Sequence, residues 1–235
     1  MKVAIVGIGK TGKYLLNVVP KEDIVGPFHS KYQIKDHREE FNSADVAIIF
    51  TPSPSVDSFI EDILDFKGIV LWGVTNYNFE DYHSKIAEKK IFWLQSNNFS
   101  LAMLNLFSLL PQFAQIKSSN PLAEYFIHEI HHSAKLDAPS GTAKVWKNLI
   151  EEGTGVRLKE EISYERKEDL VGVHTLTIKL PGEEIELRHQ GFARDVYAKG
   201  AYKIAQKLLQ LQQKERYYGF YNQQFLIDLI KKGEL

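Results

Sequence analysis

Cysteine is missing altogether from the 235-residue chain. That absence removes disulfides, thiolate nucleophiles, Cys-ligated zinc and iron–sulfur clusters. An excess of either charge is missing too. With 29 Lys+Arg against 30 Asp+Glu the formal net charge is -1, so nothing in the balance calls for nucleic acid or an anionic membrane. Any anion the protein binds must be met by local groups. No stretch approaches the roughly 18 consecutive apolar residues of a membrane span. The apolar run Val3–Val6 behind Met1-Lys2 is too brief for a signal-peptide core. Internal repeats and low-complexity tracts are absent as well. A cytoplasmic enzyme or binding protein is expected, with no nucleic-acid or membrane partner. Hydrophobic residues make up 44% and charged residues 25%, ordinary values for a globular chain, and the length allows one to two domains.

Over the first hundred residues, short β-rich runs at residues 3–6, 23–25, 46–50, 69–72 and 91–94 alternate with segments of helical period. A parallel sheet with crossover helices reads this way. Val56, Phe59, Ile60, Ile63 and Leu64 recur at i, i+3, i+4, i+7 and i+8, the spacing of one apolar helix stripe. Past Ser100 the pattern changes. A long apolar helix over residues 101–113 precedes strands at 125–132, 174–180 and 184–189, the last two joined across Pro181-Gly182. Ala201, Ile204, Ala205, Leu208 and Leu209 then restore helical period. The chain reads as α/β: a Rossmann-like doubly wound parallel sheet, plus a second α+β domain with a mainly antiparallel or mixed sheet. The expected bounds are 1–99 for a dinucleotide-binding domain, 100–194 for the second domain, and 195–235 for a C-terminal helical segment packing back on the first.

Directly after the first strand stands Gly7-Ile8-Gly9-Lys10-Thr11-Gly12, a G-x-G-x-x-G ahead of a helix through Tyr14, Leu15 and Val18. Small residues allow a tight turn and a close backbone approach to a pyrophosphate, whose charge faces helix-terminal N–H groups. The strand and helix context raises the motif above a lone match. Residues 7–13 also satisfy G-x-x-x-x-G-K, but Tyr14 stands where a P-loop needs Ser or Thr to hold magnesium. A dinucleotide fold normally carries an acid about 20 residues further on, at the end of the second strand. Phe28-His29-Ser30-Lys31 offers none. A 2′-phosphate held by Lys31 or Lys10 fits that gap, so the cofactor is read as NADPH or NADH, with a lean toward NADPH.

The densest chemistry lies in residues 129–143, Glu129-Ile130-His131-His132-Ser133-Ala134-Lys135-Leu136-Asp137-Ala138-Pro139-Ser140-Gly141-Thr142-Ala143. Adjacent strand residues face opposite ways, so His131 and His132 share a pocket only if the strand ends there, and one of the two is the chemical group. Pro139 and Ser140 signal the start of a helix through Val145, Trp146 and Leu149, leaving the amides of Gly141 and Thr142 toward an anion. With Lys135 just before it, the stretch has the parts of a carboxylate clamp beside an imidazole. Vicinal histidines with distant Glu129, His174 and His189 give no recognised ligand spacing, so no metal is expected. No G-x-S-x-G elbow supports a serine hydrolase.

The pattern E-x-H-H-x-x-K-x-D-A-P-S-G-T-A over residues 129–143 resembles the signature of the 4-hydroxy-tetrahydrodipicolinate reductase (dihydrodipicolinate reductase) family. The similarity extends to residues 7–12, Phe50-Thr51, Gly73-Val74-Thr75, Asn97-Asn98-Phe99-Ser100, Val171-Gly172-Val173-His174, and a tail with His189, Arg194, Ala198, Gly200 and Ala201. The resemblance implies reduction of a cyclic dicarboxylate by NADPH or NADH in lysine and diaminopimelate biosynthesis. It implies His131 as proton donor or acceptor, Lys135 as second proton donor, His132 as a substrate contact, and Gly141 with Thr142 as the carboxylate grip. The cofactor would lie along Gly7, Ile8, Gly9, Lys10, Thr11 and Gly12, over Gly73, Val74 and Thr75, and against Ser96, Asn97, Asn98 and Phe99. The second domain would bind substrate, carry catalysis and assemble a homotetramer. Three departures touch cofactor contacts: Gly73-Val74-Thr75-Asn76 replaces the family's G-T-T-G, the second-strand acid is missing, and the stretch between Lys31 and Asp45 is short. They leave open a non-catalytic nucleotide-binding or regulatory homologue.

Overall fold

A computed structural model describes residues 1–235 except Ala134, Leu136, Gly153, Thr154, Asp169 and Arg216. Its strands are β1 (Val3–Val6), β2 (Ile24–Phe28), β3 (Val46–Ile49), β4 (Ile69–Trp72), β5 (Phe92–Gln95), β6 (Glu124–His131), β7 (Ser163–Arg166), β8 (Gly172–Leu180), β9 (Glu183–Gly191) and β10 (Gly219–Tyr221). Its helices are α1 (Leu15–Val18), α2 (Arg38–Asn42), α3 (Ile60–Ile63), α4 (His83–Glu88), α5 (Leu101–Ala114), α6 (Ile116–Ser119), α7 (Gly141–Glu151), α8 (Asp195–Lys214) and α9 (Gln223–Lys231). Residues divide into two compact units, Met1–Leu101 with Arg194–Leu235, and Ala102–Ala193. Among the described residues no helix is long and apolar enough to cross a membrane.

The first unit is a six-stranded sheet in the order β10-β5-β4-β3-β1-β2, parallel throughout. Every residue of β1, β3 and β4 is buried. Parallel strands covered on both faces read as unbroken apolar runs for this reason. Strand order reverses between β1 and β3, the switch point outside whose carboxyl ends α/β sheets bind ligands. The fold is the expected doubly wound sheet, yet its crossovers are thin. A 3-10 turn, Gly12–Tyr14, leads into a single turn of α1. The helix predicted across residues 56–64 is also broken, into a 3-10 turn, Ser53–Ser58, and α3, with Phe59 between them at φ -144°. Ser55 and Ser58 explain the break: their hydroxyls donate to the carbonyls of Pro52 and Ser55 at 2.7 and 2.6 Å, local bonds that compete with helix. Val56, Ile60, Ile63 and Leu64 are buried all the same.

α8 packs over β3 and β4 and against α1. Gly200 sets how closely it lies, because a Cβ there would stand 1.8 Å from the Phe99 carbonyl oxygen.

The second unit is a four-stranded mixed sheet ordered β7-β6-β8-β9. β6 pairs parallel with β7 and antiparallel with β8, which pairs antiparallel with β9. Along β6 burial alternates strictly, with Tyr125, Ile127, Glu129 and His131 on the buried face. Trp146, Leu149 and Ile150 of α7 are buried with them, and the Trp146 indole N–H lies 3.2 Å from Met103 Sδ of α5. β9 is exposed along most of its length.

Candidate active site

The glycine turn is built by packing. Gly7 has φ +93°, and a Cβ on it would come 2.3 Å from the Phe50 carbonyl oxygen. A Cβ on Gly12 would meet the Gly7 carbonyl oxygen at 2.0 Å. Both glycines are needed for the turn to close on itself and on the end of β3. At Gly9 nothing lies within 4 Å of a Cβ, so the middle of the turn faces open space. Ile8, Lys10 and Thr11 complete it, the first two exposed. Beside it a cleft of about 190 Å³ is lined by Val6, Phe28, His29, Thr51, Phe59 and Asp62, among others. The Thr51 hydroxyl oxygen is buried there with no hydrogen-bond partner among the described residues. An open glycine cradle, an apolar cleft at the carboxyl ends of β1 and β2, and an orphaned hydroxyl fit an adenine dinucleotide.

The other two predicted cofactor segments meet the turn around Phe50. A Cβ on Gly73 would stand 2.3 Å from the Phe50 ring, and that ring meets Phe99 edge-on at 5.7 Å between centroids. Val74 is buried and Thr75 exposed. In the loop after β5, Ser96, Asn98 and Phe99 are buried and Asn97 is exposed. The Ser96 hydroxyl and the Asn97 amide both donate to Gln223 Oε1 at 3.1 Å. Gln223 opens α9, and nothing in sequence spacing points to it.

In the second unit His131 ends β6 and is buried, while His132 lies just outside the strand and is half-buried. Burial, together with the nearby Lys135 and Arg166 cations, holds the His131 imidazole down to a pKa of about 4. Glu129, two residues back on the same face, is fully buried. Its Oε1 accepts the Ser140 amide at 3.0 Å and lies 3.6 Å from the Arg166 guanidinium. Its Oε2 faces His131 Nδ1 at 3.5 Å and His174 Nε2 at 3.8 Å. Burial and the charges of His131, His189 and Lys135 depress His174 to about 3.

Lys135 pairs with Asp137 at 2.7 Å. Burial works against ionising Asp137, yet the Lys135 ammonium holds its carboxyl below the usual range. From β7, Arg166 donates to the carbonyls of Asp137 at 2.7 Å and Lys135 at 3.4 Å, fixing this loop. Ala134 and Leu136 of the same block lie outside the described residues. Ser140 caps α7 by accepting the Ala143 amide at 3.1 Å. Gly141 and buried Thr142 open that helix, so the predicted grip stands at a capped helix N-terminus, where amides suit an anion.

A profile described as dihydrodipicolinate reductase, C-terminus, matches residues 103–223. The chain is 30% identical over 239 residues to the 4-hydroxy-tetrahydrodipicolinate reductase of Thermosipho africanus, covering 99% of each chain. It is 33% identical over 185 residues to that of Lawsonia intracellularis, covering 70% of each. This protein belongs to the dihydrodipicolinate reductase family. Its fold superposes on the dipicolinate-bound dihydrodipicolinate reductase of Paenisporosarcina sp. TG-14 with a TM-score of 0.65 at 18% identity, covering 94% of this chain and 97% of that one.

Family membership puts the departures in physical terms. Asn76, where the family's G-T-T-G has its last glycine, sits at φ +58°, a left-handed conformation that asparagine tolerates better than other side chains. An acid does line the cleft beside the glycine turn, but from α3: Asp62, ion-paired with Arg38 at 2.7 Å. Three of the residues weighed as metal ligands do come together in space. Strand register brings Glu129, His131 and His174 together, with one ligand atom from each within 4.8 Å of the others. Chain spacing could not show this, because His174 arrives opposite Glu129 through β8. The Arg166 guanidinium beside Glu129 already supplies positive charge there.

Proposed function

We propose that the protein is a reductase of 4-hydroxy-tetrahydrodipicolinate, acting in the cytoplasm in lysine and diaminopimelate biosynthesis. The observation that carries this reading is the assembly of His131, Arg166 and the capped start of α7 around one buried carboxylate, with the Lys135 cation near the same imidazole. When bound at the glycine turn, a reduced nicotinamide cofactor would supply the hydride for C4 of the cyclic unsaturated imine dicarboxylate that the 4-hydroxy compound becomes once its hydroxyl has left as water. Gly7, Gly9 and Gly12 bring the backbone up to its pyrophosphate, with Ile8, Lys10 and Thr11 between them. Gly73, Val74 and Thr75, and the loop Ser96, Asn97, Asn98 and Phe99, shape its nicotinamide side.

Gly141 and Thr142 hold one substrate carboxylate by backbone amide and hydroxyl, and His132 contacts the ring substituents. The enamine left by hydride arrival needs a proton at the neighbouring carbon. His131 gives it from Nε2, and the Lys135 ammonium stands as a second donor. Fixed positive charge from Lys135 orients a dianionic substrate.

NADPH is favoured over NADH. The turn after β2 presents Lys31 and no acid, and the cleft's own acid, Asp62, is neutralised by Arg38, so a 2′-phosphate meets no unpaired carboxylate. The exposed β9 edge supports assembly into a homotetramer through the second sheet, which light scattering of the full chain tests. Initial rates with each reduced cofactor and enzymatically generated substrate test the whole reading. Substrate-dependent loss of nicotinamide absorbance is expected, faster with NADPH. Nucleotide binding without such loss would instead indicate a non-catalytic nucleotide-binding homologue.

A further inference from the structure

Ionised carboxylates are costly to bury unless their charge is used, and Glu129 is 0% exposed. Its two oxygens do different work. Oε1 is satisfied by the Ser140 amide and lies near Arg166. Oε2 has no hydrogen bond of ordinary geometry among the described residues, yet it faces two imidazoles. The His131 contact is set by the strand itself. Residues two apart on β6 share a face, so the E-x-H spacing puts carboxylate and imidazole side by side.

On the basis of the reductase reading, we propose that Glu129 is a positioning residue. Its carboxylate orients the His131 ring through Nδ1 and, by holding the Ser140 amide, ties that ring to the start of α7 that grips the substrate. A carboxylate at Nδ1 selects the tautomer with the proton on that nitrogen and leaves Nε2 for proton transfer. Gly172 keeps the other side of the ring clear: a Cβ on it would stand 2.8 Å from Nε2. Around the imidazole stand Glu129 on its own strand, His174 on β8, Arg166 on β7, and His132, Lys135 and Asp137 on the following loop. The Glu129 carboxylate is the group of these that stands 3.5 Å from Nδ1.

Glu129→Gln separates the two roles, because the amide oxygen can still accept from Ser140 while the charge at Nδ1 is lost. In the full-length protein this variant is expected to keep its melting temperature and NADPH affinity. Its kcat is expected to fall about tenfold or more with KM for the dicarboxylate nearly unchanged, and the acidic limb of its pH profile to move down by about one unit. Glu129→Asp, which restores the charge at shorter reach, is expected to recover part of kcat. A folded Glu129→Gln protein with wild-type kcat and pH profile overturns the proposal.

Nitrogen-15 NMR of the unaltered protein, with His131 assigned by comparison with His131→Gln, gives a second readout that needs neither turnover nor a folded Glu129 variant. A proton on Nδ1 is expected, and a proton on Nε2 with bare Nδ1 overturns the proposal. If the wild-type protein shows no substrate-dependent turnover the reductase reading fails, while the His131 tautomer still decides the role of Glu129.

Discussion

Burial, Lys135 and Arg166 keep His131 neutral at pH 7 in the free protein, with a pKa of about 4. On the proposed reading, a dicarboxylate bound near Lys135 would add negative charge and raise that value, so the transferable proton would arrive with the substrate. Calorimetric binding of a dicarboxylate analogue at pH 7, in two buffers of different ionisation enthalpy, is therefore expected to show proton uptake. Heats independent of the buffer would count against it. His131→Ala and Lys135→Ala are each expected to lower kcat by roughly 10²–10⁴-fold, the usual worth of a positioned acid or base, while nucleotide affinity survives. His132→Ala is expected to raise KM more than it lowers kcat. Melting curves run beside the kinetics identify a variant that has merely unfolded.

At the scale of elements, two glycines predict opposite outcomes from one substitution. Gly200→Ala drives a Cβ into the Phe99 carbonyl, forcing α8 off the loop after β5 at a cost of about 1–3 kcal/mol, seen as a melting temperature several degrees lower. Gly9→Ala meets nothing within the chain. It is expected to leave the melting temperature alone and weaken NADPH binding roughly tenfold, about 1.4 kcal/mol. Equal behaviour of the two would show that the turn does not face the cofactor.

Which elements could be read from the sequence follows from how each buries its surface. β1 and β4 show as plain apolar runs because both faces are covered. β7 does not show, since Ser163, Tyr164 and Glu165 are exposed and only pairing with β6 makes them a strand. β10, three half-buried residues on the sheet edge, is equally silent. At the site, the 129–143 block stood out as chain chemistry. The roles of His174, Arg166 and Gln223 depended on strand register or distant return of the chain, which local spacing does not encode.

For the molecule as a whole, the buried and half-buried imidazoles set an acid limit to stability. His131, His174 and His189 are all depressed, chiefly by burial, the first two to about 4 and about 3, whereas an unfolded histidine titrates near pH ~6.5. Between those values the unfolded chain binds more protons than the folded one, so stability falls as pH falls. The contribution is complete above about pH 6.5 and is lost progressively on the way down to about 3. Melting temperatures are expected to decline over this window, and His174→Gln to flatten the decline whatever its effect at pH 7.5. An unchanged slope would mean that His174 is not buried neutral.

The chain enters the second unit after Leu101 and returns to the first at Arg194, and β10 then pairs with β5. During synthesis from the N-terminus, β5 thus has an open side until the whole second unit has been made, the kind of exposed edge that invites pairing with other chains. Gln223, which holds the Ser96 hydroxyl and the Asn97 amide, emerges later still. On the ribosome, the loop after β5 that is proposed to line the dinucleotide site gains these hydrogen bonds only when α9 emerges.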